Sequence, residues 1–328
     1  GGTIGGVTSH RFFYALLLAC CLSCGSFAFD LQGHRGARGL SPENTLAAFS
    51  TALKTGVTTL ELDVGVTADG VVIIAHDPYL NPAFTRDTNG QWLPGSRGPL
   101  VRSLTFAQLQ AYDVGRINPA SGYAGQFSSQ QPVDGQRIPA LSALFGMVNA
   151  AGANSVRFNI ETKLNPLAPA DTVSPEIMTG ALLKAVRDAG MAERVTIQSF
   201  DWRSLRLVAQ LDPAMPTACL SAQSSSFDTL QGGAWTAGLK LGDHAGVPQL
   251  VKAAGCGTWS PNAASLTLDL VKQAQALGLK VLPWTVNAPA DMQKLLTWNV
   301  DGIITDYPDR LRIVMQQLGM QLPPAVRP

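Results

Sequence analysis

Charge is scarce in this 328-residue chain: Lys plus Arg number 24 and Asp plus Glu 23, leaving a net charge of only +1. Nothing in that balance resembles a nucleic-acid footprint, which needs a strongly basic patch or stripe. No low-complexity tract or long single-sign charge run occurs, which argues against disorder away from the ends. Histidine is rarer still, at four residues, and cysteine numbers five. No stable membrane span is expected in the mature chain; the N-terminal apolar run of 12–24 is too short to span but suits a secretory h-region. It follows His10 and Arg11 and precedes Ser26-Phe27-Ala28, a small-x-small cleavage pattern. Residues 1–28 therefore read as a leader, with the mature chain beginning at or near Phe29. The expected location is periplasmic or secreted. Leu17-Leu18-Ala19-Cys20 also loosely resembles a lipobox, so a lipoprotein anchored at Cys20 is the alternative.

What is present is apolar: 46% hydrophobic residues, ample for one large core. Length alone suggests two domains, but α/β barrels run to about 250 residues as one unit. Three cysteines, Cys20, Cys21 and Cys24, belong to the leader. Cys219 and Cys256 remain, as a disulfide or as two buried thiols; an exported compartment permits the bridge.

From residue 29 onward, strand-like and helix-like segments alternate. Strands are expected near residues 30, 60, 158, 197, 218, 258, 283 and 303, with 71–75 as an excursion. The helices expected between them include 43–54, 141–151, 176–189, 204–210, 266–277, 290–298 and 309–318. Such alternation implies βαβ units, and eight of them fit a (β/α)₈ TIM barrel better than an open sheet. No G-x-G-x-x-G follows the first strand, against dinucleotide binding. Residues 79–137, rich in Gly, Pro, Asn, Ser and Gln, read as a long insertion after the second strand that could wall or cap the site. The barrel is expected over 29–320 and a loose tail over 321–328. Nothing in the composition sets an oligomeric state.

The polar residues fall at strand ends, where barrels of this kind build their sites. His34-Arg35-Gly36 ends the first strand. Glu61 and Asp63 share one face of the second, because side chains two apart do. Glu161 and Lys163 repeat that spacing on the third; Gln198 ends the fourth, Trp284 lies on the seventh, and Asp306 follows the eighth. Glu61, Asp63 and Glu161 offer three oxygen donors and no soft ligand, which suits Ca²⁺ or Mg²⁺. A structural ion pair with Arg35 or Lys163 is the competing explanation, weakened by the repeated spacing. His34 and His76 flank that cluster and can exchange protons at neutral pH. Arg35 can grip a phosphate bidentately and Lys163 can add a point charge. His244 has no such setting.

His34-Arg35-Gly36-Ala37 followed by Pro42-Glu43-Asn44-Thr45 resembles the opening signature of the glycerophosphodiester phosphodiesterase family. Glu61-Leu62-Asp63-Val64 and the 71–77 segment ending in His76-Asp77 resemble its second block. Glu161-Thr162-Lys163, Gln198-Ser199-Phe200-Asp201, Pro283-Trp284-Thr285 and the 301–308 segment are similar to later ones. The resemblance covers roughly residues 30–315. It implies hydrolysis of a small glycerophosphodiester to glycerol 3-phosphate and an alcohol. By that resemblance Glu61, Asp63 and Glu161 hold the metal, with Ca²⁺ favoured for an exported member and Mg²⁺ the alternative. His34 and His76 are the acid/base pair, in either order. Arg35 and Lys163 take the phosphate, and Gln198 and Trp284 contact substrate. Glu43 and Asn44, expected at the first helix, orient their loop. Two rivals remain: a phospholipase D-like relative acting on membrane lipid, and a binder without turnover.

Overall fold

The computed structural model describes residues 1–3, 5 and 29–328. The apolar run, the cleavage pattern and Cys20 lie outside the described residues.

In chain order the elements are β1 (Asp30–Gly33), α1 (Leu46–Thr55), β2 (Thr59–Val66), β3 (Val72–Ile74), α2 (Phe106–Leu109), α3 (Leu141–Ala150), β4 (Arg157–Thr162), α4 (Pro175–Asp188) and β5 (Val195–Ser199). They continue as α5 (Trp202–Leu211), β6 (Thr217–Ser221), α6 (Val247–Ala254), β7 (Thr258–Pro261), α7 (Leu268–Ala276), β8 (Lys280–Val281), α8 (Pro289–Thr297), β9 (Gly302–Thr305) and α9 (Pro308–Gln317). Eight strands pair in parallel in the order β8-β7-β6-β5-β4-β2-β1-β9, and β3 pairs antiparallel with β2 outside that path. Three backbone hydrogen bonds bring the ends of the sheet together: Asp301 N to Val281 O, Ile304 N to Pro283 O and Val286 N to Ile304 O, each 3.0 Å. The result is an eight-stranded α/β barrel.

Alternation along β2 separates two chemistries. Leu60, Leu62 and Val64 belong to the apolar core, which Leu31, Phe49, Phe158, Ile160 and Ile197 share; Thr59, Glu61 and Asp63 occupy the intervening positions. Register then aligns the polar set across strands, with Asp63 opposite Glu161 and Glu161 opposite Gln198.

Several expected boundaries shift, each for a local reason. The first helix begins at Leu46, not at residue 43, because Asn44 is left-handed (φ 55°) and Thr45 caps the helix, its Oγ1 accepting from Ala48 N at 3.2 Å. Glu43 is thus off the helix and free to turn toward the barrel mouth. The strand expected over 280–286 ends at Val281, since Pro283 has no N–H to continue the ladder. Helix α6 was absent from the expected set, although Pro248 in its first turn and left-handed Gly255 (φ 87°) at its end mark it. The tail over 321–328 is not loose throughout: Val326 N donates to Leu53 O at 2.8 Å, and Leu322 and Val326 pack on the core. Cys219 of β6 and Cys256, just before β7, form a disulfide with Cα atoms 5.8 Å apart.

Residues 79–137 carry α2 and contribute to a small second core of Ile73, Leu80, Val101, Leu109, Val114 and Ile138. They also reach the β1–α1 loop, where Gln131 N donates to Leu40 O (3.0 Å) and Gln130 Nε2 to Arg38 O (2.7 Å).

Candidate active site

The carboxyl ends of the strands enclose a cavity of about 150 Å³ lined by His34, Arg35, Arg38, Glu61, His76, Glu161, Lys163, Gln198, Phe200 and Trp284, among others. Of the expected site residues only Asp63 is missing from that lining; it lies beneath, almost fully buried.

Glu61, Asp63 and Glu161 each direct one carboxylate oxygen to within 4.8 Å of the others. Their remaining bonds orient them. Glu61 accepts from Arg35 N (2.9 Å) and Gln198 Nε2 (2.7 Å), Asp63 accepts from Asn44 Nδ2 (3.0 Å), and Glu161 accepts from Lys163 Nζ (2.9 Å). Asp63 Oδ1 is buried with no hydrogen-bond partner. Burial, followed by the charges of Asp63 and Glu161, pushes Glu61 well above the usual carboxylate range. Burial likewise pushes Glu161 up to about 8 against the pull of Lys163. Burial would raise Asp63 too, but His76, Arg35 and Lys163 outweigh it and hold that carboxyl low. Three converging buried carboxylates, one with an orphaned oxygen, need positive charge among them. An all-oxygen set of this kind fits a hard divalent cation.

Each histidine is held through Nδ1 by its own carboxylate. His34 Nδ1 lies 2.7 Å from Asp306 Oδ1, which leaves Nε2 facing Glu61 at 3.9 Å. His76 Nδ1 lies 3.1 Å from Asp77 Oδ1, and its Nε2 lies 3.2 Å from Lys163 Nζ. A carboxylate cannot donate, so Nδ1 carries the proton in both rings and Nε2 offers a lone pair toward the cavity. Burial lowers His34 to about 4 despite the opposing charge of Asp306. Burial also lowers His76, with Arg35 and Lys163 adding to the effect.

Arg35 is left-handed (φ 51°), an uncommon conformation for a side chain with a Cβ. The turn is fixed by Arg35 N on Glu61 and by Gly36 (φ 87°), where a Cβ would lie 2.8 Å from the backbone of Ala48. It directs the Arg35 guanidinium to Glu43 Oε2 (2.7 Å), with its Nε 3.5 Å from Asp63 Oδ2. Gln198, expected on substrate, lines the cavity but donates its Nε2 to Glu61; its Oε1 has no partner. Trp284 donates Nε1 to Ser260 O and meets Phe200 edge-on at 5.4 Å, and this aromatic pair adjoins the charged residues, with Lys163 Nζ 5.9 Å from the centre of the Phe200 ring.

Asp306 is legible in the sequence as a strand-end residue without a role, and Asp77, Arg38 and Tyr123 join the site only in the folded chain. Arg38 clamps Asp306 with Nε and Nη2 (2.7 and 3.0 Å), and Asn287 Nδ2 adds a bond at 2.8 Å. His76-Asp77 adjacency was a usable signal, whereas Arg38 and Tyr123 had none in local spacing.

Comparison with known proteins identifies the family. The family model described as the glycerophosphoryl diester phosphodiesterase family matches residues 34–310. A glycerophosphodiester phosphodiesterase of Bacillus subtilis (strain 168) is 31% identical over 281 residues, 84% of this chain and 83% of the relative. A solved structure from Silicibacter pomeroyi DSS-3, provisionally named a glycerophosphoryl diester phosphodiesterase, is 35% identical with TM-score 0.80, covering 90% of this chain and 95% of that one. An Oleispira antarctica phosphodiesterase in complex with the product sn-glycerol-3-phosphate shares the fold, at 23% identity and TM-score 0.65 over 89% of this chain and 98% of that one. With the matched region running from His34 to beyond Asp306, the chain belongs to the glycerophosphoryl diester phosphodiesterase family.

Proposed function

We propose that this protein hydrolyses glycerophosphodiesters to sn-glycerol 3-phosphate and an alcohol, using a divalent cation at Glu61, Asp63 and Glu161. The observation that carries the proposal is the pair of carboxylate-held histidines facing one cavity with those three acids. When bound, the cation neutralises the acids and stabilises negative charge on the phosphoryl oxygens. Arg35 and Lys163 supply the remaining positive charge to the diester. Attack on phosphorus requires removal of a proton from the nucleophile, and departure of the alkoxide requires delivery of one. His34 and His76 divide those two transfers, each through Nε2. Asp306 and Asp77 hold the rings and stabilise the imidazolium when it forms. The aromatic flank of Phe200 and Trp284 borders the space left for the organic part of the substrate. The same pair serves a route in which the substrate's own glycerol hydroxyl attacks first and gives a cyclic phosphate.

Retention of both proton-transfer groups separates this reading from a binder, which needs only cations and hydrogen-bond donors. Ca²⁺ is the favoured ion and Mg²⁺ the alternative. Turnover of glycerophosphocholine measured beside sphingomyelin is the deciding assay. Hydrolysis of the first alone supports the proposal; hydrolysis of sphingomyelin alone, or of neither, refutes it. We further propose that the protein is exported, with a mature start near Phe29. N-terminal sequencing of the protein from its exporting host tests this, and an uncleaved leader recovered in the cytoplasm would refute it.

A further inference from the structure

The tyrosine at position 123 comes from the 79–137 segment, far in sequence from every strand-end motif, yet its hydroxyl sits between two arms of the site. On one side it donates to Glu43 Oε1, while Glu43 Oε2 accepts from Arg35 Nη1 at 2.7 Å. Both oxygens of Glu43 are thus used, one by the tyrosine and one by the guanidinium. On the other side the hydroxyl accepts from Arg38 Nη1 at 3.5 Å, and Arg38 grips Asp306, the partner of His34. A hydroxyl can donate to one neighbour and accept from another, which a phenyl ring cannot. The ring is held independently of that hydroxyl, with Phe84 at 5.7 Å and Phe127 at 5.1 Å between centroids. Phe127 also lies under the Arg38 guanidinium, 4.4 Å from its Cζ.

We propose that Tyr123 is a positioning residue for the phosphate-binding face: through Glu43 it sets the direction of the Arg35 guanidinium, and its contact with Arg38 ties that setting to the Asp306–His34 pair. The physical reason is geometric. Arg35 reaches the cavity from a left-handed turn, and its Nη1 contact with Glu43 is the shortest that its guanidinium makes among the described residues. Glu43, lying off the first helix, has no helical frame to hold its carboxylate. The tyrosine supplies that frame. The 79–137 segment then contributes one hydrogen bond that aligns a charge it does not itself carry.

The inference rests on the function proposed above, and its test is chosen to stand apart from turnover. Binding of sn-glycerol 3-phosphate to the Ca²⁺-loaded protein is measured by calorimetry for the parent, Tyr123→Phe, Arg35→Lys and the double variant. Tyr123→Phe keeps the ring and removes only the hydroxyl, so metal content is expected to stay at the parental value, and the melting temperature to fall by a few degrees at most as Glu43 Oε1 loses its donor. Its affinity is expected to fall about 10-fold, in line with a hydrogen bond to a charged group. In the Arg35→Lys background the same change is expected to cost less than about 2-fold, because the guanidinium it positions is gone. Parental affinity in Tyr123→Phe overturns the inference. So does an equal loss in both backgrounds, a loss accompanied by lost metal, or a parent that binds no glycerol 3-phosphate. A parent that binds the product but hydrolyses no glycerophosphodiester refutes the activity, while the affinity series still decides the role of Tyr123.

Discussion

His34 and Asp306, 272 positions apart, meet side chain to side chain at 2.7 Å where the first and last strands of the barrel pair. Adjacency of β1 and β9 makes the meeting possible, since Gly33 is in register with Thr305 and each residue directly follows its strand. The carboxylate fixes the imidazole tautomer and Arg38 and Asn287 fix the carboxylate. Asp306→Asn is therefore expected to lower kcat by about 10–100-fold, as loss of a supporting hydrogen bond to a site histidine does, with metal content unchanged. Steady-state kinetics beside metal analysis checks this; a parental kcat would show that Asp306 does not hold His34 for the reaction.

Removing either histidine should be more severe. His34→Ala and His76→Ala are each expected to lose at least about 10²-fold in kcat with little change in stability or metal content. A substrate with a good leaving group needs no acid, so it should restore rate only to the variant lacking the acid. Near-parental turnover of glycerophosphocholine by either folded, metal-loaded variant would contradict the assignment.

Chelation should abolish activity, and Ca²⁺ or Mg²⁺ should restore it. Glu61→Ala and Asp63→Ala are each expected to lose metal together with rate, because two acids remain where three converge. Full activity in EDTA-treated, metal-free protein would remove the cation from the mechanism.

Metal affinity should also depend on pH. In the metal-free protein burial raises Glu161 to about 8, so this acid holds a proton at neutral pH that cation binding must release. The sign follows: apparent affinity is fullest above about pH 8 and falls as pH drops below it, by up to about tenfold per unit for each proton displaced. Calorimetric titration with Ca²⁺ at pH 6, 7 and 8.5 reads this directly. Affinity that is flat over the range would show that Glu161 is already ionised.

The disulfide joins β6 to the turn before β7 and closes a loop over 37 positions of sequence. A loop of that length stabilises by roughly 3–4 kcal/mol, chiefly by restricting the unfolded chain. Cys256→Ala is expected to lower the melting temperature by several degrees. Parental kcat is expected at temperatures where it stays folded, because neither sulfur lines the cavity. An unchanged melting temperature on reduction or substitution would show that the bridge does not contribute.

Much of the fold and most of the site were legible in the residue order, and for local reasons. A strand shows its faces through a period of two, so Glu61 and Asp63 were readable as one pair and Leu60 and Leu62 as the opposite face. Gly and Pro mark where elements stop, and eight alternating units leave few architectures other than a barrel. The positions of His34, Arg35 and Lys163 at the ends of barrel strands follow from the same pattern, whereas His76 follows the short β3 outside the barrel. Tertiary structure decided what depends on pairs with no local signal. The register of β2 on β4 set Asp63 opposite Glu161 and so created the cluster. A left-handed Asn44 took Glu43 off the helix and turned it to Arg35, and a distant segment placed Tyr123 against it. Whether Cys219 and Cys256 were partners or separate thiols was decided only when adjacent strands brought their Cα atoms to 5.8 Å. Sequence records which groups exist and which face they occupy; only closure of the barrel brings distant groups within hydrogen-bonding distance, because those bonds act over about 3 Å whatever the separation along the chain.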